Sequence, residues 1–159
     1  QVAGIALMRR MAEAVTLRLR INALLAGNNR NPLLLLGDFN DVPEAQTSLI
    51  FNGPSGSEIG TLGFHRPDKG DDVRLFNLAP AIVAERRYSR VHQGRGELLD
   101  QIFASEEFFP IGLDNRRRLP LVDSYVDFNS QLPSVGDNPS ERIGEIAPDH
   151  APVSATFDL

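Results

Sequence analysis

The chain has 159 residues, no cysteine, and 21 acidic against 16 basic side chains, for a net charge of −5. The absence of cysteine excludes disulfides and thiolate metal sites, and the acidic balance disfavours a dedicated nucleic-acid binder, which usually carries a basic surface. At 42% apolar and 23% charged the composition is that of one water-soluble globular domain with a real core, and no apolar run approaches the length of a membrane span.

The first residues, Gln1-Val2-Ala3-Gly4, have neither an initiator methionine nor a basic-then-apolar signal pattern. They read as an internal position in a longer protein, so localisation is not legible. Leu7, Met11, Ala14, Leu17, Ile21 and Leu24 recur at steps of three and four. They predict an amphipathic helix, with Arg9, Arg10, Arg18 and Arg20 mostly off the stripe. Gly27 is its natural stop. The four leucines Leu33 to Leu36, bounded by Asn31-Pro32 and Gly37, predict a short buried strand. Pro43 to Phe51 can form a short helix with Asp41 as N-cap.

Residues 53–72, rich in Gly, Ser, Pro and Asp, read as a long loop that is functional or mobile. Leu75 to Val83 has helical character broken by Pro80. Tyr88 to His92 and Leu98 to Ala104, flanking Gln93-Gly94-Arg95-Gly96, read as a β-hairpin. A further strand is expected within Leu119 to Phe128 and a second long loop over 129–149. In a closing strand Val153, Ala155 and Phe157 alternate with polar neighbours. There is no repeat, low-complexity tail or internal domain boundary. Helix–strand units followed by hairpins predict an α/β layered sandwich.

Three short segments carry chemistry. Gly37-Asp38-Phe39-Asn40 follows the leucine strand. Side chains alternate along a strand, so Asp38 and Asn40 can point the same way. A carboxylate there can orient a water or bind a hard cation, and an amide can donate to a phosphate oxygen without adding charge. Taken alone, Gly-Asp-x-Asn is good turn chemistry. The preceding leucines and the following Asp-x-Pro shift the balance toward function. Asp100 sits in Leu99-Asp100-Gln101-Ile102-Phe103, an otherwise apolar strand, where a carboxylate needs a partner. That partner is either Arg90 or Arg95 across the hairpin or an imidazole whose tautomer it fixes. His150 is the obvious imidazole, in Asp149-His150-Ala151-Pro152-Val153. His65 and His92 have no metal-ligand spacing and read as surface residues, which disfavours zinc. Arg86-Arg87 and Arg116-Arg117-Arg118 read as solvated faces. Arg90 and Arg95, near Asp100 in sequence, are candidate contacts to a substrate phosphate. No Gly-x-Ser-x-Gly element supports a serine hydrolase, and Gly53-Pro54-Ser55-Gly56 lacks the Gly-Lys-Ser/Thr ending of a phosphate loop.

In this order the three segments resemble the endonuclease/exonuclease/phosphatase superfamily, metal-dependent phosphoesterases with a deoxyribonuclease I-like fold. The resemblance runs from the first helix to the Asp149-His150 strand. It implies that the chain is the C-terminal half of a four-layer α/β/β/α sandwich, with a mixed, largely antiparallel sheet flanked by helices. It also implies catalytic roles: Asp38 resembles the water-activating or metal-binding aspartate, Asn40 the phosphate-orienting asparagine, and Asp100 the aspartate that hydrogen-bonds the catalytic His150. Asp149 resembles an acidic residue at the metal centre, so Asp149 and Asp38 are the implied ligands of Mg²⁺ or Mn²⁺. The implied reaction is in-line attack of water on a phosphodiester or phosphomonoester.

The family's early asparagine, principal metal-binding glutamate and second histidine have no counterpart here, and Pro148 stands where many members have Ser. The chain alone is therefore expected to be inactive and to expose an apolar sheet face. That face would be covered by its own N-terminal half or by a second copy. The alternative is a non-catalytic fragment or degenerate relative that binds a partner through the same face. Nucleic acid is a substrate that the net charge does not favour, and nothing suggests a membrane.

Overall fold

A computed structural model describes residues 2–26, 31–126 and 149–158. The expected loop over 129–149 lies, apart from its last residue, outside the described residues. The fold is α/β with antiparallel sheets, and the described residues hold two α-helices. Helix α1 spans Val2–Leu25, as good helix formers such as Ala, Leu, Met and Arg favour. Its packed face is turned by about one residue from the expected stripe. Ala14, Arg18, Ile21 and Leu25 are buried, whereas Leu7, Leu17 and Leu24 are exposed.

Arg18, expected off the packed stripe, is instead buried. It lies in the interface between α1 and α2 (Gln46–Asn52), where it donates to the carbonyls of Phe51 (2.7 Å) and Val73. Burial lowers its pKa from the ordinary arginine value. The paired carbonyls are what make a buried guanidinium tolerable. Helix α2 also starts later than expected. Ala45 is its N-cap residue, with no side-chain cap, while the Asp41 carboxylate accepts from the Thr47 hydroxyl at 2.6 Å.

The central sheet is β1 (Leu34–Asp38), β5 (Asp100–Ala104) and β2 (Phe76–Asn77), in the order β1-β5-β2 and antiparallel throughout. Leu75 to Val83 is therefore this short strand and a 3₁₀ turn at Ala79–Ala81, not a helix. Between β2 and β5 lies a hairpin of β3 (Arg90–His92) and β4 (Arg95–Glu97). The expected hairpin thus divides in two. Its tight turn joins β3 to β4, and the strand carrying Asp100 pairs instead with β1. Strands β6 (Leu121–Ser124) and β7 (Val153–Thr156) pair antiparallel.

Alternation sorts the core into two clusters. Phe103 and Leu75 join Ala14, Ile21, Leu25 and Phe51 beneath the helices. Their chain neighbours Ala104 and Phe76 join Phe64, Ile82, Phe109 and Val122 on the other face, where Val153, Ala155 and Phe157 of the closing segment also pack. Among the described residues this second face is incompletely covered. Leu34 and Leu36 pair with Ala104 and Ile102 but are 41% and 64% exposed. The leucine run is therefore not a fully buried strand. Among the described residues β1 is a sheet edge whose outer side chains face open space.

The 53–72 segment is anchored rather than loose. Ser57, Ile59, Phe64 and Asp71 are buried; Asp71 meets Arg117 at 2.7 Å and also pairs with Arg74, while Glu106 pairs with Arg117. The Arg117 guanidinium also lies over the Phe64 and Phe76 rings. One member of the Arg116–Arg118 run is thus an internal tie, while its two neighbours are exposed. His65 is half-buried, edge-on to Phe64, and not a plain surface residue.

Candidate active site

Phe39 explains how Asp38 and Asn40 come to be presented together. Its ring packs edge-to-face against Phe51 and Phe103, at centroid distances of 5.2 and 5.3 Å, and its N–H continues the β1–β5 ladder by donating to the Leu99 carbonyl. With Phe39 turned into the helical cluster, both flanking polar residues face outward, and both are exposed. Asn40 has φ +51°, a left-handed conformation that Asn tolerates better than most residues. Two bonds hold that turn: the Asp38 carboxylate accepts from the Asn40 N–H at 2.8 Å, and Arg10 of α1 donates to the Asn40 carbonyl at 2.7 Å. Gln101, buried next to Asp100, supports the following residue by donating to the Asp41 carbonyl at 2.6 Å and to Ser48.

Asp38 and Asp100 are direct cross-strand partners. His150 arrives from just before β7, and its Nδ1 lies 2.6 Å from the Asp100 carboxylate. The three side chains offer one ligand atom each within 4.8 Å of one another. Asp100 therefore pairs with the imidazole rather than with Arg90 or Arg95. The Asp100 contact orients the ring and leaves Nε2 free to face a substrate.

Asp149 is not part of that three-residue cluster. Its carboxylate is 4.0 Å from Arg90 Nε, so Arg90 borders the site through Asp149. Arg95 is exposed on β4 and pairs in register with His92; nothing described ties it to the cluster. Hard carboxylate oxygens from one or two residues, completed by water and substrate phosphate, are what Mg²⁺ takes. Asp38 offers such an oxygen within the cluster, whereas the one described contact of the Asp149 carboxylate is with Arg90, and nothing described brings it to Asp38. A cavity of about 320 Å³ opens beside the cluster, between α1 and the edge of β1, and its lining includes Arg10, Glu13, Leu17, Asp38 and Asn40.

Sequence reasoning missed Arg10, Gln101 and Ser89 as supports of the site. The Ser89 hydroxyl accepts from the N–H groups of Leu99 and Asp100, both at 3.1 Å, and its carbonyl accepts from Ala151 N–H at 2.7 Å. No local pattern announces such a residue, because its partners lie 8 to 62 positions away in the chain.

No protein-family model, curated protein or solved structure matches this chain.

Proposed function

We propose that the chain is the C-terminal half of a metal-dependent phosphoesterase domain of the endonuclease/exonuclease/phosphatase type, hydrolysing a phosphodiester or phosphomonoester by in-line attack of water. The observation that supports this reading best is the convergence of Asp38, Asp100 and His150 from three separate strand ends. These are the residues in which the sequence resembles that superfamily.

In this reading Asp38 orients or deprotonates the attacking water, and Asn40 donates to a phosphate oxygen. His150, held through Nδ1 by Asp100, presents Nε2 to the phosphate or leaving group. Asp38 and Asp149 would hold Mg²⁺ or Mn²⁺, which supplies charge neutralisation at the phosphoryl oxygens. Arg90, next to Asp149, would be the candidate phosphate contact. The exposed Leu34 and Leu36 lie on the same sheet face as Asp38 and Asp100, since all four alternate in phase. A second α/β layer packed on that face would complete both the core and the site, giving the four-layer sandwich and supplying a further metal-binding carboxylate.

The test is hydrolysis of bis(p-nitrophenyl) phosphate in Mg²⁺ by the complete protein. Asp38→Asn and His150→Ala should each abolish most of the turnover. Unchanged rates in both would overturn the reading.

The second reading, a non-catalytic module that binds through its sheet face, is favoured by the same exposed Leu34 and Leu36. It predicts partner binding that is indifferent to Asp38→Asn and His150→Ala.

A further inference from the structure

Asp100 and His150 come from segments 50 residues apart, and a bond of that kind lasts only if both backbones are fixed. Asp100 begins β5, and His150 lies just outside β7. Ser89, fully buried just before β3, bonds to Asp100 and to the residue that follows His150. Its hydroxyl accepts from Asp100 N–H and Leu99 N–H, its carbonyl accepts from the N–H of Ala151, next to His150, and its own N–H donates to Glu97. The neighbouring Tyr88 carbonyl accepts from the buried Ser124 hydroxyl at 2.5 Å, and Tyr125 N–H in turn donates to Pro152. The 88–89 segment is thus bonded to both arms of the Asp–His pair and to β6 beside them.

We propose that Ser89 is a positioning residue for the Asp100–His150 pair, its hydroxyl setting the backbone from which Asp100 projects and its carbonyl the backbone from which His150 projects. The inference rests on the phosphoesterase reading for its catalytic consequence, but its structural content does not. The alanine variant removes only the hydroxyl. It leaves two buried N–H groups without an acceptor at the point where Asp100 leaves the chain. The carbonyl contact to Ala151 survives, so the expected effect is a loosened Asp100 rather than a lost strand.

The test follows the His150 Nδ1–H proton by NMR in the 159-residue chain, without metal or substrate, next to phosphodiester turnover by the complete protein. Ser89→Ala should broaden or remove the hydrogen-bonded Nδ1–H resonance and lower kcat by about 10- to 100-fold with KM unchanged, the usual loss when a supporting partner of a functional side chain is removed. Ser89→Thr, which keeps the hydroxyl, should restore both.

Ser105→Ala is the control. Ser105 is equally buried and accepts from Leu33 N–H at the opposite end of the β1–β5 pair. Its loss should lower the melting temperature and leave the resonance and kcat as they are. A resonance that Ser89→Ala leaves unchanged would overturn the proposal, as would a Ser105→Ala effect equal to that of Ser89→Ala. A resonance that responds to Ser89 in a protein without phosphoesterase turnover would uphold the positioning role and sink the phosphoesterase reading alone.

Discussion

Asp38 and Asp100 stand directly opposite one another at the end of the β1–β5 ladder. Two carboxylates in that relation repel. At about 4 Å the energy is about 1 kcal/mol when water screens fully and about 4 kcal/mol at the effective dielectric of a protein surface. Exposure of Asp38 puts the pair toward the lower figure. A fold chosen only for stability would place a neutral residue at one of the two positions. His150 relieves part of the conflict from the Asp100 side, and a bound cation would relieve the rest.

Asp38→Asn should therefore separate stability from function. The asparagine side-chain oxygen can still accept from Asn40 N–H, so the turn keeps its bond while the repulsion disappears. The variant is expected to melt at or slightly above the wild-type temperature, with turnover lost. Magnesium should raise the wild-type melting temperature by mass action, by the equivalent of about 2.7 kcal/mol at a hundredfold excess over its Kd, and should raise that of Asp38→Asn less. Calorimetry with and without Mg²⁺ measures both. An equal magnesium effect on the two proteins would remove Asp38 from the metal site.

Asn40 couples a conformational role to a chemical one, and two substitutions divide them. Asn40→Gly keeps the left-handed backbone at little steric cost and deletes the amide. Asn40→Ala deletes the amide and places a Cβ where left-handed backbone costs roughly 1–2 kcal/mol. The glycine variant should retain wild-type stability to within a few tenths of a kcal/mol while losing activity. The alanine variant should lose both. Chemical denaturation alongside turnover decides it, and a fully active Asn40→Gly would leave the amide no chemical part.

Much of this site was legible in the sequence because its signals are local. Phe39 between two polar residues is enough to place Asp38 and Asn40 on one side of a strand, and an aspartate inside Leu99–Phe103 demands a partner. What was not legible depends on long-range packing. The helix stripe from Leu7 to Leu24 slipped because Arg18 pairs with carbonyls of Phe51 and Val73, contacts that no periodicity encodes. Leu75–Val83 read as helical by composition, yet Phe76 and Asn77 pair with Ala104 and Phe103, and that tertiary pairing overrides local preference. Arg117 looked like its exposed neighbours because a run of three arginines says nothing about which one finds a buried acid.

The buried ion cluster gives a sharp stability prediction. Asp71 and Arg117 have side chains essentially out of solvent. Removing one partner leaves an uncompensated charge, which typically costs about 3–5 kcal/mol. Arg74 still neighbours Asp71, so Arg117→Met should fall near the lower end of that range. Urea unfolding should show the midpoint falling at unchanged slope, since the surface exposed on unfolding hardly changes. A loss under 1 kcal/mol would mean that Arg74 alone satisfies Asp71.

The exposed strip on β1 makes a prediction about association. Leu34 and Leu36 lie side by side on one face of an edge strand, and edges of that kind pair with other chains unless blocked. Covering what remains exposed of each leucine, 41% of Leu34 and 64% of Leu36, would contribute about 1–2 kcal/mol. Two of them, with the unpaired backbone groups of the edge, favour self-association of the 159-residue chain in the absence of a covering layer. Sedimentation velocity should find species larger than the 17.5 kDa monomer. Leu36→Lys should return the protein to monomer with its folding free energy within about 0.5 kcal/mol of wild type, because an exposed position contributes little to the fold itself. If the wild-type chain sediments as a monomer across the micromolar range, the face tolerates water as it stands, and the argument for a missing layer loses its physical basis.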